Sequence, residues 1–337
     1  MSVIADLFKR YKLRLRRKRL LWRAFRKRRE ITCISRKTGS IKGNDIVLFA
    51  CLRNEMARLP YFLKHYRSLG VDHFLFVDNG SDDQSETYLN AQSDVSVWKT
   101  HDSYKASRFG MDWLTALQWK YGSGHWCVTV DIDELLIFPD WPSRDLKDLT
   151  RDLAARGACS MGAMMLDLYP KGPLSTAVCA VDQNPLDVIP WFDAFGYFAQ
   201  KHSKMGNVQL QGGPRVRCFF ADRADRGPTL NKVPLVFWKR GYVYVDSMHI
   251  ALPARLNAVN DDKTKRRETG ALLHTKFLHD APVRAGLEKQ RQEHFAYAGS
   301  YDDYYDAVAS DPDLWCEESV KFRCAEQLIS LGLMSRG

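Results

Sequence analysis

The stretch His125-Trp126-Cys127-Val128-Thr129-Val130-Asp131-Ile132-Asp133-Glu134 decides the fold. An apolar run of strand length ends in two carboxylates set one residue apart. Side chains two apart on extended backbone share a face, so Asp131 and Asp133 leave the strand on the same side. Hard carboxylate oxygens suit Mg²⁺ or Mn²⁺, ions that commonly complete their shells with phosphate oxygens and water. The stretch predicts a buried strand that delivers a divalent-cation site to the rim of a sheet, fit to meet a diphosphate. The plainer alternative is that Asp-x-Asp and Glu134 only form a turn or cap a helix.

The upstream sequence supplies the rest of that sheet. Ile46 to Leu52 is apolar throughout, the pattern of a strand covered on both faces. Leu59, Phe62, Leu63, Tyr66 and Leu69 repeat at helical spacing, with Pro60 at the start and Gly70 at the end. His73 to Val77 reads as a second strand and Val95 to Trp98 as a third. Trp113, Leu114, Leu117 and Tyr121 mark a helix leading into the His125 stretch. This alternation predicts βαβ units and a mostly parallel sheet flanked by helices.

Three polar clusters then line up. Arg53-Asn54-Glu55, Asp78 to Asp83 and Asp131 to Glu134 each follow the carboxyl end of a predicted strand, the edge where open α/β sheets bind ligands. Their convergence points to a nucleotide or nucleotide-like ligand. No Gly-x-Gly-x-x-Gly follows the first strand and there is no Walker loop, so nicotinamide and P-loop chemistry lose support. His-Glu-x-x-His and Gly-x-Ser-x-Gly are absent as well. Asn79-Gly80-Ser81 matches a glycosylation acceptor but reads more simply as a turn.

At 337 residues the chain suffices for one large α/β domain with additions. No apolar run approaches the roughly 18 to 20 residues that cross a bilayer. The start lacks the apolar core of a secretory signal, so the eight cysteines, none in a Cys-x-x-Cys pair, are expected as thiols in a reducing cytosol. The net charge of +10 is local: residues 9 to 29 carry thirteen Lys or Arg and no acid, leaving 37 basic against 40 acidic residues elsewhere. With Leu13, Leu15, Leu20, Leu21, Trp22 and Phe25 among these charges, the segment is expected to lie on an anionic membrane surface. A nucleic-acid tail and a solvated helix are the alternatives, and nucleic acid is not favoured because the body has a slight acidic excess. The organisation expected is a basic amphipathic tail and linker over 1–44, the α/β domain over 45–280, and a helical extension over 281–337.

In the second half, Leu166 to Pro173 reads as strand then turn. Arg215 and Arg217 would share a face if extended. Lys232 to Trp238 and Gly241 to His249 suggest further strands. Gly270 to Phe277 is a short apolar strand that carries His274 and Lys276 on one face.

The blocks Arg53-Asn54-Glu55, Leu59-Pro60, Leu69-Gly70-Val71, Asp78-Asn79-Gly80-Ser81-Asp82 and Asp131-Ile132-Asp133-Glu134 resemble the GT-A (Rossmann-like) nucleotide-diphospho-sugar glycosyltransferases. The likeness is to the bacterial family 2-like group and its family 92 relatives, and spans roughly residues 45 to 280. It implies a metal-dependent transfer of sugar from a nucleotide-diphosphate sugar to a glycan or lipid-linked acceptor, as in cell-surface polysaccharide synthesis, at the inner face of the membrane. Asp131 and Asp133 would hold Mn²⁺ (or Mg²⁺), and the cation would offset charge on the leaving diphosphate. His274 is the choice for a third ligand, with His249 its competitor, and imidazole tilts the preference to manganese. Glu55 and Asp78 would hold the uracil and ribose, and Arg53, Asn54, Asn79 and Asp82 would join them in binding the substrate. Arg215 and Lys276, and more weakly Lys232, would meet the diphosphate. The acidic pair that usually follows the metal motif in family 2 is not evident. Asp167 and Asp193 are the candidates for a catalytic base. A nucleotidyltransferase on a similar sheet is the nearest rival, although it would normally carry a Gly-rich basic loop where Arg53-Asn54-Glu55 stands.

Overall fold

The computed structural model describes residues 3–202, 205–261, 266–291, 293 and 301–337. The first half runs α1 (Val3–Lys27), β1 (Thr32–Ser35), β2 (Val47–Leu52), α2 (Leu59–Ser68), β3 (His73–Asp78), α3 (Ser85–Asn90), β4 (Val95–Lys99), α4 (Met111–Leu117), β5 (Trp126–Thr129), β6 (Glu134–Ile137), α5 (Leu146–Ala155) and β7 (Ser160–Asp167). Then follow β8 (Trp191–Asp193), β9 (Phe198–His202), β10 (Asn207–Gln211), α6 (Gly213–Phe219), β11 (Asn231–Phe237), β12 (Val243–Asp246), β13 (Ile250–Leu252) and β14 (Glu268–His274). The C-terminal part holds α7 (Ala281–Arg291), α8 (Asp302–Ala309), β15 (Ser319–Lys321), α9 (Ala325–Ser330) and β16 (Ser335–Arg336).

The expected α/β sheet is there. Ten strands join in the order β1-β4-β3-β2-β5-β11-β7-β14-β16, with β6 also paired to β14. β2, β3, β4 and β5 form a parallel block. β11 then enters antiparallel to both β5 and β7, while β7 and β14 pair in parallel. Alternation along β2 shows why the sheet is buried on both sides. Leu48, Ala50 and Leu52 belong to one apolar core with Phe62 and Tyr66 of α2, whereas Val47 and Phe49 belong to another with Trp113 and Leu117 of α4. β3 repeats the pattern, Phe74 and Phe76 facing one side and Leu75 and Val77 the other. Helix α2 ends as its sequence predicts, with Gly70 in the left-handed region at φ 86°.

Two segments depart from their sequence reading. Residues 1–44, read as a tail and linker, hold a docked helix and an edge strand. Leu13, Leu20 and Leu21 of α1 pack on Met205, Val243, Val245 and Leu252, and β1 pairs antiparallel with β4. Arg215 and Arg217 do not lie on extended chain, because Pro214 near its start and the residues after it form α6. The two guanidinium groups therefore diverge, Arg215 to Asp167 and Arg217 to Asp193. The C-terminal segment is helical in three stretches and returns β16 to the main sheet. Residues 292 and 294–300 of that segment lie outside the described residues.

Candidate active site

β2, β3 and β5 run parallel, so the three polar clusters that follow them reach the same edge of the sheet. A cavity of about 430 Å³ opens there, lined by Arg53, Glu55, Asn79, Asp131, Asp133 and Glu134 from this edge. β14 and the residues after it contribute His274 and Lys276, β11 contributes Lys232, α6 contributes Arg215, and α7 contributes Arg284 and Glu288. Tyr104, Phe109, Tyr301, Tyr304 and Tyr305 give the walls an aromatic character.

Asp131 and Asp133 are both at the cavity, but they face different cations. Lys232 Nζ lies 2.7 Å from Asp131 Oδ2 and also bonds Glu134 Oε1. This ammonium is almost fully buried, and the two carboxylates more than offset the cost of burial, which raises its pKa. Asp133 Oδ2 lies 3.1 Å from His274 Nε2, and the other ring nitrogen of His274 is 2.6 Å from Asp167 Oδ1. Asp167 in turn accepts from Arg215 Nε at 2.8 Å. Burial opposes ionisation of Asp133, yet His274, Lys276 and Arg58 together hold its carboxyl well below the usual range. The same balance keeps the ring of His274 above its ordinary value, with Asp133 and Asp167 outweighing burial.

The donor set can be tested against a divalent cation. Asp133 and His274 present an oxygen and an imidazole nitrogen to one point at the cavity wall. Asp167 behind Nδ1 orients that ring, an outer-shell carboxylate of the kind that accompanies metal-bound histidine. These two residues fit a Mn²⁺ site. The third expected ligand, Asp131, lies beside them with one oxygen turned to Lys232. Among the described residues no three His, Cys, Asp or Glu side chains are already gathered as a metal shell. The competitor His249 also lines the cavity, but its Nδ1 is 2.7 Å from the carbonyl of Asn231.

The expected substrate-binding residues of this edge separate into two groups. Glu55 lines the cavity and accepts from both terminal nitrogens of Arg284. Arg58, in the turn before α2, bonds Asp280 with two contacts of 2.8 Å and approaches Glu55 at 3.4 Å. These four residues stitch the end of β2 to α7. Arg53 donates to the carbonyl of Asn79 at 3.2 Å, and Asn79 closes the turn through the carbonyls of Thr100 and Asp102. Asn54 and Asp82 instead bond one another on the exposed rim, outside the cavity lining. Asp78 is fully buried beneath it: Oδ1 accepts from the Ser81 N–H at 2.7 Å and Oδ2 has no partner among the described residues.

Asp167 is 1 % exposed and both of its oxygens are committed, a position suited to holding His274 and Arg215. Asp193 bonds Arg217 and Tyr169 and is not part of the lining. Lys276 lines the cavity with no hydrogen-bond partner among the described residues. Burial lowers its pKa, Asp133 counteracts this, and Arg215 and Arg284 add to the lowering. Sequence reasoning missed Arg58, Arg284, Glu288 and the tyrosine wall. Arg58 stands only three residues beyond Glu55, a spacing that was available as a signal. Arg284 and Glu288 carried none, because α7 reaches the cavity only through tertiary packing.

Fold and site together define an α/β protein with a cleft of mixed charge at the carboxyl edge of its parallel strands. No protein-family model matches the chain, and no curated protein matches it. Among solved structures it is similar to a 4-diphosphocytidyl-2C-methyl-D-erythritol synthase at 15 % identity and a TM-score of 0.25, over 42 % of this chain and 69 % of that one. A likeness so slight assigns no activity.

Proposed function

We infer that this protein is a metal-dependent glycosyltransferase that takes its sugar from a nucleotide-diphosphate donor and passes it to a glycan or lipid-linked acceptor. The observation that carries the reading is Lys276, a cavity cation with no hydrogen-bond partner among the described residues, beside Asp133 and His274. An unsatisfied ammonium beside a carboxylate–imidazole pair suits a diphosphate better than a neutral ligand. Mn²⁺ or Mg²⁺ would be held by Asp133 and His274, with Asp131 alongside, and when bound would offset the charge that grows on the leaving diphosphate.

The chain's own groups do the rest. Lys276 and Arg284 offer positive charge to phosphate oxygens. Arg53 and Asn79 bracket the turn at the end of β3, where the nucleoside would rest. The tyrosines exclude water and supply flat apolar faces for sugar rings. Asp167 holds His274 in place instead of meeting the acceptor.

A thermal-shift panel of nucleoside diphosphates and nucleotide sugars, with and without Mn²⁺, tests this. The expected outcome is metal-dependent stabilisation by UDP, GDP or one of their sugars, lost in Asp133→Ala. Stabilisation by CTP or ATP alone, with diphosphates inert, would favour a nucleotidyltransferase. No response to any nucleotide would end the reading.

A further inference from the structure

Helix α1 carries two apolar stripes, and the body covers only one. Leu13, Leu20, Leu21 and Ala24 turn inward, the leucines meeting Met205, Val243, Val245 and Leu252, and Ala24 is fully buried. On the opposite side Leu7, Tyr11, Leu15, Trp22 and Phe25 follow one another at steps of 4, 4, 7 and 3 residues, one face of the helix crossed once, by Lys18. All five are exposed, Trp22 by 62 % and Leu7 by 61 %. Trp22 stacks on Phe25 with ring centroids 5.6 Å apart, and Phe25 in turn meets Trp119 of the body at 6.4 Å and carries Arg28 over its ring, so the outward aromatic end of the stripe is Trp22, backed by Phe25.

The charges bordering this stripe share one sign. Arg14, Arg19 and Arg26 are exposed at its edges and Lys18 within it, and no acid occurs between residues 9 and 29. The helix is too charged to enter a bilayer lengthwise, and no helix of the described residues is long and apolar enough to cross one. An apolar stripe between rows of arginine and lysine matches an anionic lipid surface, where the apolar residues enter the acyl boundary and the cations meet the headgroups. A second copy of this chain would place these cations against their own kind. Nucleic acid would use the cations and leave the stripe in water.

We propose that α1 seats the protein on an anionic bilayer through Leu7, Tyr11, Leu15, Trp22 and Phe25, with its other stripe keyed to the body. The keying is polar as well as apolar. Arg23 bonds Asp112 at 2.6 Å and the carbonyl of Ala106, while Trp113 donates to Glu30 at 2.8 Å. Ala106 lies in the loop between Tyr104 and Phe109, which form part of the cavity wall. The membrane helix and the cleft are thus fastened through one loop. Resting on the transferase reading, this coupling makes the acceptor a lipid-borne one, drawn from the surface on which the protein sits.

The test is co-sedimentation of the full chain with phosphatidylcholine vesicles, with and without phosphatidylglycerol, for wild type, Leu15→Glu/Trp22→Glu and Leu15→Ala/Trp22→Ala. Both side-chain positions are exposed, and an unchanged melting temperature confirms that the variants fold. Wild type should bind the anionic vesicles, release them in high salt, and lose at least tenfold in partitioning on the double Glu change, with a smaller loss for Ala. Failure of wild type to bind, or equal binding by the Glu variant, overturns the proposal. So does a lipid-free dimer, seen by sedimentation equilibrium, that the Glu variant abolishes. DNA or RNA binding with vesicles ignored overturns it as well. Nucleotide stabilisation needs no lipid. Its loss with vesicle binding intact fails the transferase reading alone, and the reverse fails this proposal alone.

Discussion

The Nε2 atom of His274 lies 3.1 Å from Oδ2 of Asp133, a contact that is favourable only with a proton or a cation between them. In the free protein a proton serves. Burial works against the charged ring, but Asp133 and Asp167 outweigh it and raise its pKa. A histidine raised on folding contributes fully below its unfolded value of about 6.5, and that contribution fades as pH climbs through the higher folded value. Urea midpoints should therefore fall for wild type as pH rises above neutrality. The difference from His274→Gln should shrink over the same range. A difference that does not change with pH would show that the ring does not titrate over that range.

A divalent cation would take the place of that proton. Binding of Mn²⁺ should release close to one proton per site below the folded pKa of His274, and tighten as pH rises. Calorimetry in two buffers of different ionisation enthalpy reads the proton count directly. Asp133→Asn should abolish the binding. Asp167→Asn should weaken it by about 10- to 100-fold, the usual effect of losing an outer-shell partner.

Lys232 balances Asp131 and Glu134 from a site almost closed to water. Burial pushes the Glu134 carboxyl up to about 7 even with Lys232 pulling the other way. Replacing the lysine by Met leaves two acids facing each other without a counter-charge. Breaking a buried pair on one side costs about 3–5 kcal/mol. Lys232→Met should show a loss of that order in urea unfolding, and Lys232→Met/Glu134→Gln should recover a clear part of it. An additive double variant would mean the three groups act independently.

How much of this could be read in the chain follows from what each signal depends on. The parallel block was legible because β2, β3 and β5 are apolar on both faces and each ends in a polar cluster. The direction of β11 was not, since Lys232 to Trp238 looks the same run either way and only its neighbours set its sense. Pairing at the site was legible to the level of residue type: Asp133 beside His274, with Lys276 close by, follows from two strand ends sharing an edge. That Lys232 would claim Asp131 was hidden, because it depends on β11 lying next to β5 and β7. Docking of α1 was hidden too. Its inward leucines and its outward ones are interleaved in sequence, and only the body's apolar patch separates them.

Gly110 offers a local check on how the cavity wall is built. It opens α4 at φ 75°, and a Cβ there would sit 2.4 Å from Cys51 Sγ. Gly110→Ala combines a disfavoured backbone conformation with a clash, two effects worth about 1–3 kcal/mol each. The variant should lose stability on that scale. Adding Cys51→Ala removes the closest contact and should return most of the steric share, leaving the backbone share and the tighter approach to Tyr104.

Lys276 tests whether the cleft recognises an anion. Its ammonium lines the cavity without a hydrogen-bond partner among the described residues, so removing it should do little to the fold. A hydrogen bond to a charged group contributes about 1.5–3 kcal/mol, so Lys276→Ala should weaken a bound nucleoside diphosphate by roughly tenfold or more. Lys276→Arg keeps the charge and should restore part of the affinity, though a planar fork and a point charge do not place phosphate alike. Because burial lowers the lysine's pKa, its proton is held less tightly than an exposed lysine's. Affinity should therefore decline at alkaline pH earlier than Arg at the same position would allow. Equal affinity in Lys276→Ala and wild type, measured by calorimetry at low salt, would place the diphosphate elsewhere in the cavity.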